Sequence, residues 1–329
     1  MQAQLLEKLA CPKCHGELSM TVTQEAASGE IETGTLTCES CAQTFPIRAG
    51  IPRFVSEDNY ATSFGYQWNR FRLEQIDSNN GTQLSADRFY SETNWTKEWL
   101  KGKWVLDAGC GAGRFLDAAS QGDCDVVGLD ISNAVDAARA NLAGRRNVHF
   151  VQASIYELPF RSSVFDGCYC IGVVQHTPDP QKTMKTLPRV LLPGGRIAIT
   201  AYERKPWTPL YGKYWLRPLT KRLNKKTLLT GIKGAMPVLF PVTSVLFRLP
   251  LVGRFFMFTI PVANYVHERQ LTREQRYDWA VLDTFDMLSP QYDQPRTQTE
   301  VEEALAAAGV VEIKRLPNPG VNIIGCKGA

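Results

Sequence analysis

Residues 104–200 repeat one unit: a short apolar run, a polar or glycine-bearing loop, and a segment with helical period. WVLDAG, RFLDAASQ, DVVGLD, NAVDAARANLA, VHFVQA, FDGCYCIGV, TMKTLPRVL and RIAIT follow one another in that order. Apolar runs of strand length alternating with helices predict an α/β fold built on a parallel, doubly wound sheet. Residues 1–58 are patterned differently. Short apolar runs such as IETGTLTC and TFPIRAGIPRFV are broken by turns, which predicts a small ribbon of strands. Residues 60–103 are aromatic and helix-like, with Trp95 and Trp99 one turn apart. Beyond Thr200 comes a basic and then apolar insertion, followed by VEEALAAAG as a helix and VEIKRLPNPGVNIIGCKG as two strands around a Pro/Gly turn.

Composition sharpens this division. A length of 329 residues suits about two domains, and 44% hydrophobic content fills a sizeable core, which excludes a disordered chain. The net charge of +4 is too small to mark a nucleic-acid binder. It is unevenly spread, because residues 203–233 hold nine basic residues and one acid. Nine cysteines are too few for a disulfide scaffold, and the N-terminus lacks the charged start and apolar run of a signal peptide, so a reducing cytoplasm is expected. The apolar stretch 235–263 is interrupted by Pro237, Pro241, Pro250, Pro261, Arg248 and Arg254, so a spanning helix is not expected. A basic helical face followed by apolar helices fits a lid over residues 203–276, or an anchor lying peripherally on a membrane.

Two cysteine pairs, Cys11-Pro-Lys-Cys14 and Cys38-Glu-Ser-Cys41, supply four thiolates at the spacing of a tetrahedral zinc site. Four thiolates leave no open coordination position, so the zinc is expected to be structural. A redox role for the pairs is the weaker alternative.

In Val105-Leu106-Asp107-Ala108-Gly109-Cys110-Gly111-Ala112-Gly113-Arg114, a strand runs through a glycine turn into a helix start. A dinucleotide fingerprint needs glycine where Arg114 stands. Asp107 suits a ligand bearing an ammonium group better than a pyrophosphate, since a carboxylate repels phosphate. The next strand ends at Asp130, placed to accept from ribose hydroxyls, so an adenosine is expected.

These motifs resemble the class I S-adenosylmethionine-dependent methyltransferases, in particular the type 11 branch. LDAGCGAGRF, VVGLDIS, FDGCYCIGVVQHTPDP and LLPGGRIAIT carry the resemblance over roughly residues 100–202. It implies a Rossmann-like sheet of seven strands and S-adenosylmethionine as cofactor. Asp107, Gly109 and Gly111 would line its methionine end, Asp130 would hold its ribose and Ile131 would pack on its adenine near Ser154, with Cys110, Gly113 and Ile155 also binding the cofactor. Ser154 stands where the family carries an acid. CPKCHGEL and FPIRAGIPRF resemble the zinc-ribbon partner subunits of methyltransferases, here fused to residues 59–329. FGYQWNRFRLEQID and DTFDMLSPQY resemble flanks of methyltransferases from polysaccharide and secondary-metabolite pathways.

On the acceptor side, His176 and Tyr202 follow the fourth and fifth strands and are the candidate catalytic residues; His176 has the side chain for a general base near neutral pH. Tyr66 and Trp68 from the aromatic segment, Arg217 from the basic stripe Arg217, Lys221 and Lys225, and Tyr292 near the last strands are the candidate substrate contacts. The expected function is in-line methyl transfer to a small-molecule, glycan or lipid-linked acceptor. The alternative is an RNA or protein methyltransferase with the ribbon as docking module, kept open by Tyr211, Tyr214 and Trp215. A silent scaffold ranks third.

Overall fold

The computed structural model describes residues 1–56 and 61–329. The expected boundary between residues 58 and 59 lies outside the described residues.

The ribbon is an antiparallel sheet of β1 (Leu18–Glu25), β2 (Ile31–Cys38), β3 (Thr44–Arg48) and β4 (Ile51–Pro52). Short helices α1 (Thr62–Arg70), α2 (Asp77–Asn80), α3 (Leu84–Thr93) and α4 (Lys97–Leu100) lead into the α/β part. There β5 (Trp104–Ala108), α5 (Arg114–Ser120), β6 (Asp125–Asp130), α6 (Ala134–Asn141), β7 (Val148–Gln152), β8 (Phe165–Ile171), α7 (Pro180–Thr186) and β9 (Leu191–Ala201) alternate as the pattern predicts. The insertion adds α8 (Gly212–Thr220), α9 (Lys225–Leu246), α10 (Gly253–Thr259) and α11 (Arg273–Leu288). Helix α12 (Gln298–Ala307) and strands β10 (Val310–Arg315) and β11 (Val321–Lys327) close the chain.

The seven-stranded sheet has the order β10-β11-β9-β8-β5-β6-β7. Strands β5 to β9 are parallel, and β11 and β10 add an antiparallel hairpin. The seven-stranded doubly wound expectation therefore holds. Central strands such as β5 and β6 are apolar without alternation because helices cover both faces. The chain leaves β5 for β6 on one side and returns to β8 on the other, so the switch point lies between β5 and β8, above which open sheets bind ligands. The glycine turn sits at this point.

One apolar cluster joins ribbon and sheet: Met1, Leu5, Leu9, Leu36 and Ile47 share it with Leu106, Val127 and Val151. The ribbon also covers the free edge of β7. Phe54 N donates to Gln152 O at 2.8 Å, and Arg53 bonds Gln152 Oε1 at 2.8 Å. Arg139 clamps Glu30 and Glu32 at 2.7 and 2.8 Å. An edge strand is thereby closed against other chains.

The insertion has its own apolar cluster, in which Leu228, Ile232, Met236 and Phe240 of α9 pack on Val281, Phe285 and Leu288 of α11. Helix α11 runs across residue 276 to Leu288, so the helical layer extends past the expected end. Against the expectation from its prolines, α9 has the length and apolar composition of a membrane span, although this packed face lies within the protein.

Candidate functional site

In the ribbon, two turns bring the cysteines together. His15 N donates to Cys11 O and Ala42 N to Cys38 O, each at 2.9 Å, and the two closing residues share positive φ of 59° and 56°. The four Sγ atoms lie within 4.8 Å of one another, with Cys11–Cys41 at 3.7 Å and Cys14–Cys38 at 3.4 Å. Tetrahedral zinc with thiolates about 2.3 Å from the metal needs sulfurs about 3.8 Å apart. The cluster can hold a metal ion of that kind.

At the end of β5, Gly109 N and Cys110 N both donate to Leu129 O, at 2.7 and 3.0 Å, tying the glycine turn to β6. Gly109 has φ +98°, and a Cβ there would stand 2.5 Å from Val173; Gly111 has φ +52° beneath the Trp68 indole. Glycine is required at both, because Val173 and Trp68 leave no room for a side chain and φ is positive. Asp130 Oδ2 accepts from Gly111 N at 3.0 Å, and its Oδ1 accepts from Ser132 N and Oγ at 2.8 and 2.7 Å. Burial raises the Asp130 carboxyl above its ordinary value. Asp107 lies deeper. Burial pushes its carboxyl well up, the Tyr169 hydroxyl beside it draws it partly back, and the Asp130 charge adds to the rise. A cleft of glycine backbone beside a strand-end carboxylate fits a nucleoside.

A cavity of about 860 Å³ opens over this turn. That is near the top of the roughly 300–1,000 Å³ range of ligand pockets. Gly109, Cys110, Gly111, Asp130, Ile131, Ile155 and Trp68 line one end, and His176 and Tyr202 line it further along. His176 Nδ1 lies 3.0 Å from Tyr292 O, and a carbonyl only accepts, so Nδ1 is the donor in this contact. The His176 ring meets Tyr202 edge-on at 5.5 Å. Burial, then the charges of Asp286 and Asp293, raise the Tyr202 hydroxyl well above its ordinary value. Lys213 lies over the Tyr202 ring at 4.6 Å and pairs with Asp293 at 2.7 Å.

The same cavity holds polar residues that the sequence reading missed. Asp283 and Asp286 stand three apart on α11, on one face, and Arg88 and Arg114 face the same space. Gln75 Nε2 donates to Asp283 Oδ1 at 3.3 Å, the Tyr265 hydroxyl donates to its Oδ2, and Gln67 Nε2 donates to Asp286 Oδ1 at 3.1 Å. Burial and then the Asp286 charge push the Asp283 carboxyl up to about 7. Arg114 donates to Ser85 Oγ at 2.9 Å and Gln75 Oε1 at 3.0 Å, and burial pulls it down to about 10. The i, i+3 acids of DTFDMLSPQY were the available signal.

Several expected contacts stand elsewhere. Arg217 is 6% exposed and donates to Met287 O and Pro290 O, both at 2.9 Å, so it fastens α8 to the end of α11 and faces no acceptor. Lys225 turns inward as well, donating to Ser289 O at 2.7 Å, so the expected basic stripe is not a solvent face. The Tyr66 ring packs on Phe285 at 6.1 Å, beside a second pocket with Asn69 and Lys233. Tyr292 contributes its carbonyl to His176. Ser154 caps a short turn by accepting from Tyr156 N at 3.1 Å, and Gly113 backs against Ala138 and Leu142. Asp107, Gly113 and Ser154 lie behind the cavity wall.

Sheet order and glycine cleft define a domain of the class I methyltransferase kind. Residues 106–199 match the methyltransferase domain family, and residues 2–50 match the Trm112p-like protein family. The chain is thus similar to a methyltransferase domain over residues 106–199, behind a segment similar to the Trm112p-like family. It is 30% identical over 139 residues to the ubiquinone biosynthesis O-methyltransferase of Acinetobacter baumannii (strain AYE), covering 39% of this chain and 59% of that protein. It is 30% identical over 122 residues to the O-methyltransferase rstn1 of Aspergillus nomiae, covering 36% and 54%. The chain therefore spans less than two thirds of the curated relatives it matches. Among solved structures, the complex containing the Haloferax volcanii Trm112 methyltransferase activator matches at TM-score 0.46 and 15% identity, over 81% of this chain and 98% of that one. Human N-acetylserotonin methyltransferase matches at TM-score 0.43 and 16% identity, over 84% and 61%.

Proposed function

We propose that the chain is an S-adenosylmethionine-dependent methyltransferase acting on a hydroxyl oxygen of a small-molecule, glycan or lipid-linked acceptor. The observation that carries this reading is the single cavity joining the glycine turn and Asp130 to His176 and Tyr202. The O-methyltransferase relatives support the choice of oxygen. Residues 1–58 act as a zinc ribbon, residues 59–329 as the catalytic part, and the helical insertion as a lid.

In this reading Asp130 accepts from the ribose hydroxyls, Ile131 and Ile155 flank the adenine, and Trp68 closes over the glycine turn. The cofactor, when bound, supplies a methyl group already activated on a sulfonium. His176 Nε2 takes the proton from the acceptor hydroxyl as the oxygen–methyl bond forms and the sulfur–methyl bond breaks, leaving a thioether, a methyl ether and an imidazolium whose Nδ1–H stays on Tyr292 O. The lid holds the acceptor oxygen in line and keeps water out. Cys11, Cys14, Cys38 and Cys41 would hold the zinc, with a structural role.

Calorimetry with S-adenosylhomocysteine and with NAD tests the cofactor, and transfer of a labelled methyl group into fractionated cell extract tests the acceptor. Binding of NAD alone refutes the reading. His176→Ala should lower turnover about 10²–10⁴-fold with cofactor affinity retained. Label in RNA or protein rather than in small molecules would favour the second reading, which rests on the Trm112p-like match.

A further inference from the structure

We propose that the outer face of the insertion docks on an anionic lipid bilayer and that, given the methyltransferase reading above, the acceptor enters the cavity from that bilayer.

Helix α8 is inside out. Its inward side chains are polar: Arg217 and Thr220 bond the carbonyls of Met287, Pro290 and Leu288. Its outward side chains are apolar, with Trp215 64% and Leu219 66% exposed. Helix α9 turns Met236, Phe240 and Thr243 inward and leaves a stripe of Val238, Val242 and Val245 outside. Leu251, Val252 and Phe255 around the start of α10 are also exposed. Among the described residues, every exposed large apolar side chain outside the cavity wall except Val22 and Val311 lies between positions 207 and 255. Soluble proteins do not normally concentrate apolar surface in this way.

Charge selects the occupant. Residues 204–267 contain eleven Lys and Arg and no Asp or Glu, although Lys213, Arg217 and Lys225 turn inward. Arg222, Lys226, Arg248 and Arg254 are exposed among the apolar side chains. A second copy of the chain would bring the same positive surface to a two-fold interface, where like charges repel. An anionic bilayer offers both an apolar interior and a negative surface. The same insertion supplies Tyr211, Tyr214, Met257 and Phe258 to the cavity wall, and the Tyr211 and Phe258 rings pack at 4.3 Å. An apolar acceptor leaving the lipid would meet these side chains at the cavity wall.

The test is flotation of the full chain with vesicles of phosphatidylcholine alone and of phosphatidylcholine with phosphatidylglycerol. Binding is expected to the anionic vesicles and to weaken with salt. Trp215→Glu with Leu219→Glu should weaken it about tenfold or more, since each replaces an apolar side chain that would enter the lipid with a charged one. Phe255→Ser on α10 repeats the test independently, and unchanged S-adenosylhomocysteine affinity shows that either variant is folded. Failure of the wild type to float, equal flotation of wild type and folded variants, or a dimer in sedimentation that Trp215→Glu breaks would each overturn the proposal. A wild type that floats but binds no S-adenosylhomocysteine would overturn the methyltransferase reading instead.

Discussion

Replacing Asp130 by alanine tests the cofactor cleft most directly. The carboxylate accepts three hydrogen bonds in the structure, from Gly111 N, Ser132 N and Ser132 Oγ, at 3.0, 2.8 and 2.7 Å. The first holds the glycine turn to the end of β6, so the substitution acts twice: the ribose loses a charged acceptor and the turn loses a tether. A hydrogen bond to a charged group contributes about 1.5–3 kcal/mol. The tether is partly replaceable by water because Asp130 is only half-buried. The expected loss of S-adenosylhomocysteine affinity is therefore about 2–3 kcal/mol, or roughly 30- to 150-fold in Kd. Asp130→Asn, which keeps the shape and one acceptor oxygen, should lose less. Calorimetry measures both, with thermal unfolding to confirm that each variant folds. A folded Asp130→Ala protein that binds within threefold of the wild type would refute the assignment.

Three further outcomes follow from the packing. The Asp283 carboxyl sits at about 7 in the folded protein against an ordinary value near 4, so the folded state holds its proton more tightly than the unfolded one. Its effect on stability is most favourable below about pH 4 and is lost as pH rises toward 7; Asp283→Asn should remove that slope and leave the protein about 2–4 kcal/mol less sensitive to pH, as read by denaturant unfolding. Cys14→Ser should abolish metal binding in elemental analysis, against one zinc per wild-type chain, and lower the Tm of the whole chain because the ribbon shares its core with the sheet. Arg217→Ala should cost about 2–3 kcal/mol by leaving the Met287 and Pro290 carbonyls without their charged donor, and thermal unfolding should show it with cofactor affinity unchanged.

The sequence by itself determined the features that local chain carries. Alternating apolar runs and helices required a parallel sheet, the glycine turn followed by Asp130 marked the nucleoside cleft, and two CxxC pairs brought four thiols within reach of one ion. Each depends on residues close in sequence or on a repeating unit, so spacing alone reveals it. Tertiary structure decided which way the helices face. Four-residue spacing suggests one helical face for Arg217 and Lys225, but the chain breaks between α8 and α9, and both side chains turn to carbonyls at the end of α11 instead of to water. Tyr66 and Trp68 are two apart on α1 and therefore point to different neighbours, one to α11 and the other to the glycine turn. The polar half of the cavity was hidden for the same reason: Gln67 bonds Asp286 across 219 residues, and Gln75 bonds Asp283 across 208. Contacts of that separation leave no period in the chain, because they form only when the insertion folds back over the carboxyl ends of the strands.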